Sequence, residues 1–364
     1  MNDIERFLIL NMTEDLGSVR TLALLRHFGS PDRIFNARAN ELTCVTGIGE
    51  KIAFNLTQAI KGADFKKEMD LIRKHRIKVI TFLDNDYPKN LKNIYDPPMV
   101  LYVKGNVLPQ DDLAVAIVGS RLASFYGIQQ AERFAFELAS RGITIVSGLA
   151  RGIDSSAHKG ALKAKGRTLA ILGSGLLNVY PEEHKALAEE ISENGAVISE
   201  FPMATIPDRG NFPKRNRIVS GLSLGVVVVE AAKKSGALIT SDIAMEEGRD
   251  VFAVPGKIDS ITSKGTNKLI KQGAKLTETV GDILEELGIE ASGSTGRDRS
   301  ILSSKLDKSE TLVYNLLSSE PKHIDELSVE SGVKITELSG ILFNLEIKRF
   351  ARQLPGKNFV KEKG

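Results

Sequence analysis

The 364-residue chain has a single cysteine, no tryptophan and only five histidines. Cys44 alone cannot close an internal disulfide or build a multi-cysteine zinc site, and the histidines show no metal-type spacing such as H-x-x-x-H. No apolar run approaches the length of a membrane span. The first ten residues carry Asp3, Glu5 and Arg6 where a signal peptide would need an apolar core. A cytoplasmic protein that does not engage a membrane is expected. Neither sign of charge dominates, since 49 Lys+Arg against 46 Asp+Glu leave a net charge of +3. Any binding of a polyanion must therefore come from local clusters and not from a uniformly basic surface. What is present, 42% hydrophobic and 26% charged residues, is the composition of an ordinary globular protein. Its length fits one large core with smaller attachments.

One cluster stands out. Residues 211–225 read Asn-Phe-Pro-Lys-Arg-Asn-Arg-Ile-Val-Ser-Gly-Leu-Ser-Leu-Gly, which crowds Lys214, Arg215 and Arg217 beside Phe212, just ahead of a Val-rich strand. A domain core has no use for three cations and a loop aromatic at that place. A polyanion with stackable bases has, because Lys and Arg neutralise phosphates and an aromatic face stacks on unpaired bases. The same residues would also suit a solvated helix start.

Hydrophobic periodicity divides the chain. Residues 1–65 read as a small all-α domain, with Ile4, Phe7, Leu8 and Ile9, then Val19, Leu22, Leu25 and Phe28, at helical spacing. Within it, Leu42-Thr-Cys-Val-Thr-Gly-Ile-Gly-Glu-Lys-Ile-Ala resembles the turn of a helix-hairpin-helix module. Gly47 and Gly49 would make the tight turn, their amides either meeting a phosphate or only joining two packed helices. Residues 66–288 form the core, entered through a strand-rich connector at 66–112 with turn signals at Asp84-Asn-Asp-Tyr-Pro and Tyr95-Asp-Pro-Pro. Beyond Leu113, apolar runs at 114–118, 143–146, 169–172, 196–198, 226–229 and 251–254 alternate with helix-length amphipathic segments such as 127–141 and 182–193. That alternation predicts an α/β class, an extended Rossmann-type, doubly wound and mostly parallel sheet. Residues 289–309, rich in Ser, Gly and charge, read as a linker. Residues 310–364 suggest a winged-helix-like domain, a helix-turn-helix pair followed by a β-wing at 349–354 and 358–360. Its acidic Asp325, Glu326, Glu330 and Glu337 argue against DNA as its partner.

In an open parallel sheet, ligands sit beyond the carboxyl ends of the strands. At that edge fall Gly119-Ser120-Arg121, Ser147-Gly148, Gly173-Ser174-Gly175, and Glu230 followed by Ser235-Gly-Ala-Leu-Ile-Thr240. Glycine lets a backbone approach an anion, helix N-termini offer unpaired N–H groups, and Arg121 adds a fork of donors. Gly and Ser punctuate strand–helix turns in any such fold, so the signal is their recurrence on one edge. There is no Walker A sequence and no complete G-x-G-x-x-G, and no cofactor is expected. Catalytic groups are sparse. Asp154 and His158 lie i, i+4 on one helix face, as an acid–base pair or as a structural one. Glu200 and Glu230 follow apolar strands, where a buried carboxylate would suit a base or an anchor for Arg215 and Arg217, and the ion pairs are the expectation. No Ser-His-Asp order or cysteine nucleophile appears, so neither a catalytic residue nor a metal site is expected.

Together these residues resemble the DNA-processing protein A family of bacteria, DprA, also called Smf. The similarity runs through Val118-Gly-Ser-Arg, Ser147-Gly-Leu-Ala-Arg-Gly-Ile-Asp-Ser-Ser-Ala-His, Leu172-Gly-Ser-Gly with Tyr180-Pro, and Ser199-Glu-Phe-Pro. It continues through Phe212-Pro-Lys-Arg-Asn-Arg-Ile-Val-Ser-Gly-Leu-Ser, Val229-Glu-Ala, Ser235-Gly-Ala-Leu-Ile-Thr and Val251-Phe-Ala-Val-Pro-Gly. The resemblance implies a non-enzymatic homodimer that binds single-stranded DNA, protects it and loads the recombinase RecA during natural transformation. It implies that Gly119, Ser120 and Arg121 hold a phosphate, and that Ser147, Gly148, Gly173 and Ser174 line the same pocket. Lys214, Arg215 and Asn216 would border that pocket, Phe212 would meet a base, and Arg209 would add a backbone contact. Two other readings stay open. The fold variant also resembles LOG-type phosphoribohydrolases, whose Pro-Gly-Gly-x-Gly-Thr stretch and glutamate would here have to come from Lys234-Ser-Gly-Ala-Leu-Ile-Thr and Glu246 or Glu247. The third is duplex binding through the terminal domains.

Overall fold

A computed structural model of the chain describes residues 1–62, 64–289, 306–318, 320–348 and 350–362. The chain divides into two compact units, Met1–Ala291 and Ser292–Gly364. The first opens on helices α1 (Asp3–Met12), α2 (Gly17–Phe28), α3 (Pro31–Asn36), α4 (Ala39–Leu42), α5 (Glu50–Lys61) and α6 (Asp64–Lys74). A capping box starts α1: the Asn2 side chain accepts from Glu5 N at 2.9 Å, and the Glu5 carboxylate accepts from Asn2 N at 3.0 Å. In the turn before α5, Gly47 has φ 86° and Gly49 is the N-cap, as the hairpin reading requires.

The segment read as a connector supplies two strands of the main sheet, β1 (Lys78–Thr81) and β2 (Val100–Gly105), with α7 (Lys89–Lys92) between them. Then β3 (Ala114–Val118), β4 (Thr144–Ser147), β5 (Thr168–Ile171) and β6 (Gly195–Ser199) alternate with α8 (Phe125–Ala139), α9 (Ile153–Lys163) and α10 (Lys185–Asn194). After α11 (Asn211–Gly221) come β7 (Gly225–Val228), α12 (Gly236–Glu246), β8 (Asp250–Ala253), α13 (Lys264–Lys271), β9 (Lys275–Leu276) and α14 (Val280–Glu286). The sheet order is β1-β2-β6-β5-β4-β3-β7-β8-β9, antiparallel at β1–β2 and β2–β6 and parallel elsewhere. This is a Rossmann-type α/β sheet. The chain winds outward from β3 in one direction through β4, β5 and β6, then returns to its other side for β7.

Both faces are covered, which is why the central strands read as unbroken apolar runs. Val115 and Ile117 pack with Phe134, Ala157 and Ile283, while Ala114, Ala116 and Val118 pack on the opposite side with Ile218, Ala244 and Leu269. That is the period of two expected of a strand. Helix α8 buries Ala131, Phe134, Ala135 and Leu138, the i, i+3, i+4, i+7 stripe of a core-facing helix. The N-terminal helices share their core with the sheet: Phe7, Leu24, Ile34, Leu42 and Leu56 cluster with Val100, Tyr102, Leu172, Val197 and Ile191. A polar tie joins them, since the buried Glu68 carboxylate accepts from Met203 N at 2.7 Å.

The second unit is a winged helix made of α15 (Lys308–Leu316), β10 (Lys322–His323), α16 (Ile324–Ser331), α17 (Ile335–Ile347), β11 (Ala351–Leu354) and β12 (Asn358–Lys361). Its strands run in the order β10-β12-β11 around a core that includes Val313, Leu327, Leu338 and Leu345. Residues 290–305 of the expected linker lie outside the described residues, and its end opens α15 instead, with Asp307 as N-cap. Among the described residues no helix is long and apolar enough to cross a membrane.

The shared core predicts that residues 1–289 fold alone with one cooperative thermal transition. A fragment of 66–289 should instead expose the face of β2 and β6, bind a hydrophobic dye and melt lower. Equal calorimetric stability of the two fragments would contradict this. Phe7→Ala should cost the unit about 3–5 kcal/mol in urea unfolding, because it empties part of that core.

Candidate functional site

At the carboxyl ends of β3, β4 and β5, three loops and the start of α11 surround a pocket of about 300 Å3. Its lining includes Arg121, Arg151 and Arg215, the aromatic rings of Tyr180 and Phe212, and Gly148, and it contains no carboxylate. The loop after β3 is pinned by its own backbone: Ser120 N donates to Glu230 O at 2.7 Å, and Ser120 O accepts from Ile153 N at 3.2 Å. Arg121 can therefore project from a fixed base. Its guanidinium lies 5.1 Å from the centre of the Phe212 ring, a cation–π contact, and the Phe212 and Tyr180 rings are 5.9 Å apart. Arg151 is exposed at the rim, 2.5 Å from the Glu183 carboxylate.

Arg215 forms the floor. It is 4% exposed, and its Nη1 donates to Gly148 O at 2.5 Å and to Ile171 O, while Nε donates to Asn216 Oδ1 at 3.3 Å. Two glycines exist to admit this arrangement. A Cβ on Gly148 would stand 2.3 Å from Arg215 Nη1, and one on Gly173 would stand 2.8 Å from Phe212 Cδ1. Burial lowers the Arg215 pKa to about 10, with the Asp154 carboxylate opposing the shift, so the guanidinium stays charged at neutral pH. Burial likewise pushes the Asp154 carboxyl up, offset first by Arg215.

Asp154 and His158 have separate partners and no hydrogen bond between them among the described residues. Asp154 accepts from Ala150 N at 3.3 Å, whereas His158 Nδ1 lies 2.7 Å from Thr168 Oγ1. The Thr168 hydroxyl already donates to Ile145 O at 2.8 Å, so Nδ1 must carry the proton in the His158–Thr168 bond. His158 is then a neutral imidazole whose buried Nε2 has no partner. Burial, followed by His184 and Arg215, pushes its pKa down to about 3. This is a structural histidine, and the acid–base alternative gains no support from the geometry.

The other residues singled out in the sequence fall in several places. Gly119 and Ser120 are half-buried in the loop that carries Arg121, and Gly173 lies beneath Phe212. Ser147 and Ser174 are buried and donate to Ile117 O and Asn178 O, each at 2.6 Å, so neither lines the pocket. Arg209 is exposed in the loop before α11. Lys214 is exposed and lines a different groove, together with Arg217. Glu200 pairs with Arg217 as expected, and Asp96 adds a second carboxylate 3.0 Å from Arg217 Nε. The expectation for Glu230 needs correcting. It anchors neither arginine, because its buried carboxylate accepts from Ser124 N at 2.8 Å, Ser124 Oγ at 2.6 Å and Thr262 Oγ1 at 2.9 Å. Those bonds serve the N-terminus of α8, where a negative charge is favourable. Arg151 and Tyr180 were missed as pocket residues, although the Tyr180-Pro pair was a visible signal. Glu246 and Glu247 lie at the far end of α12, and Glu247 accepts from Ser220 Oγ at 2.7 Å.

The first turn of α11 has no acidic residue and ends on Lys214, while just ahead of it the Asp208 carboxylate accepts from Gly210 N at 2.8 Å. A cation near the positive end of a helix dipole is unfavourable by a few tenths to about 1 kcal/mol. A family model for DNA recombination-mediator protein A matches residues 78–288 of the chain. The chain belongs to this DprA family. A model for the DprA winged helix domain matches residues 302–357. Protein Smf of Synechocystis is 33% identical over 392 aligned residues, covering 98% of each chain. Protein Smf of Escherichia coli is 49% identical over 202 residues, 55% of this chain and 54% of that protein, so that match spans about half of each. The X-ray structure of DprA from Streptococcus pneumoniae superposes with a TM-score of 0.70 at 36% identity, over 79% of this chain and 98% of that one. DprA from Helicobacter pylori, a structure described for its single-stranded DNA binding mode, gives 0.52 at 33% identity, over 58% and 97%.

Two outcomes are expected from this DprA-family site. Gly148→Ala should destabilise the unit by about 1–3 kcal/mol, because the added methyl displaces the Arg215 guanidinium; an unchanged urea midpoint would refute the close approach. His158 provides a pH signature. Its folded pKa, about 3, lies below that of the unfolded chain, about 6.5, so the unfolded state binds the extra proton between those values. The associated stability is present above pH 6.5 and is lost on acidification toward about pH 3, by up to about 1.4 kcal/mol per pH unit. Urea unfolding from pH 7 to 4 should show a shallower slope in His158→Asn, by one proton's worth. Identical slopes would mean that the folded imidazole is charged.

Proposed function

We propose that this DprA-family chain is a recombination mediator that binds single-stranded DNA in the pocket between Arg121, Tyr180 and Phe212, without catalysing a reaction on it. The observation that carries this reading is the lining itself: three arginines and two aromatic rings, with no carboxylate, beside the start of α11. Guanidinium groups position phosphates, and aromatic faces accept any base, so affinity should be salt-dependent and sequence preference low. In this reading Arg121 takes a backbone phosphate, with Gly119 and Ser120 fixing its loop. Phe212 stacks on a base, Arg215 supplies positive potential from below, and Arg209 and Asn216 flank the strand. The H. pylori relative supports the choice of ligand.

Hydrolysis of a nucleotide has less support. Glu246 and Glu247 are remote from the pocket, and its lining offers no general base. Transfer of the strand to a RecA-type recombinase in natural transformation belongs to the same proposal, and so does a homodimer.

Fluorescence anisotropy with oligothymidine and a matched duplex tests the reading. Wild type should prefer the single strand. Phe212→Ala should cost about 1–3 kcal/mol. Arg121→Ala should reduce the slope of log K against log salt by about 0.7, the release expected for one single-strand phosphate. Equal affinity for duplex, or variants that bind like wild type, would reject the pocket as the site.

A further inference from the structure

We infer that a strand held in the pocket continues across α11 into a second groove, between α11 and the N-terminal helices, which makes those helices part of the nucleic-acid path. This inference rests on the single-strand reading of the pocket. The groove, of about 600 Å3, is lined by Val19, Arg20 and Gly47 from the N-terminal helices and their turn, by Lys214 and Arg217 from α11, and by Phe201. The phasing of α11 sets the two sites apart. Phe212 and Arg215 are i, i+3 and share the pocket face, while Lys214 and Arg217, also i, i+3, begin about 200° further round the axis and share the groove face. A strand crossing the exposed start of this one helix would leave the first site and enter the second.

Charge favours a polyanion there. The groove gathers Arg20, Lys214 and Arg217 against Asp96 and Glu200. Both carboxylates are engaged by Arg217, and Asp96 also accepts from Ser18 Oγ at 2.5 Å. Three cations against two carboxylates leave a surplus of one positive charge, and Lys214 and Arg20 are the two cations that hold neither carboxylate. Lys214 makes no ion pair among the described residues, and Arg20 donates to the carbonyls of Gly47 at 3.0 Å and Asp15 at 2.8 Å. The nearby Asp15 carboxylate is held 2.6 Å from Lys51 Nζ. Phe201 and Val19 give a base an apolar surface, as stacking platforms do beside a basic track. The ligand is thus the sugar-phosphate and base of a few unpaired nucleotides. The Gly47 hairpin, which the pocket leaves unused, becomes one bank of the groove.

The test compares oligothymidines of about 5 and about 16 nucleotides, which bracket the sites of single-strand grooves. Val19 is 41% exposed, so charged replacements should not disturb folding. Val19→Glu should weaken the long oligomer roughly two- to fivefold and leave the short one as in wild type, and Val19→Lys should tighten the long one alone. Lys214→Ala should lose more affinity for the long oligomer than for the short. Val19 variants without effect on the long oligomer, or with equal effects on both lengths, would overturn the extension while Phe212→Ala still reported on the pocket. If wild type binds neither length, the pocket reading fails and the extension falls with it.

Discussion

The buried guanidinium of Arg215 holds together three pieces of backbone that are far apart in the chain. It bonds the loop after β4 through Gly148 O and the end of β5 through Ile171 O, and it anchors the helix α11 from which it springs. A buried charge is tolerated only where its donors are satisfied and an opposite charge is near, and Asp154 on α9 supplies that charge. The consequences spread outward. Gly148 has to lack a side chain so that the guanidinium fits, and Gly173 has to lack one so that Phe212 can lie over it. With α11 fixed in this way, Phe212 meets Arg121 from the loop after β3, and the pocket has its shape.

Helix α11 is therefore a component with two working sides. One residue pair turns to the pocket and another to the groove beside the N-terminal helices. Its first turn holds no acidic residue, and the Asp208 carboxylate meets the helix start from the preceding loop by accepting from Gly210 N. The sheet topology sets the location. The order reverses around β3, and in open α/β sheets the ligand crevice lies beyond the carboxyl ends of the strands near such a reversal.

The flanking segments differ in their relation to this core. The N-terminal helices complete a hydrophobic cluster with β2 and β6 and so belong to the first unit. The winged helix has its own core, stabilised by the 2% exposed Glu310 carboxylate that receives Lys348 Nζ at 2.6 and 2.7 Å. Its helix α17 contains no Lys or Arg and exposes Ile335, Phe343 and Ile347.

The sequence by itself determined the parallel α/β sheet, the winged helix and the Gly47 turn, because these follow from local periodicity and from backbone conformations that few residues adopt. It also singled out Arg121, Phe212 and Arg215 through the density of charge and aromatic character along short stretches. Only the tertiary structure decided which of the flagged side chains meet. Ser147 and Ser174 turn into the interior to satisfy carbonyls, and Glu230 is consumed by the start of α8, because a buried polar group goes to the partner that the fold places within reach. Lys214 parted from Phe212 for a different reason: residues two apart on a helix stand about 200° round its axis from each other. The contribution of Arg151 and Tyr180 came from loops that converge only once β4 and β5 are side by side, a long-range pairing that no local pattern encodes.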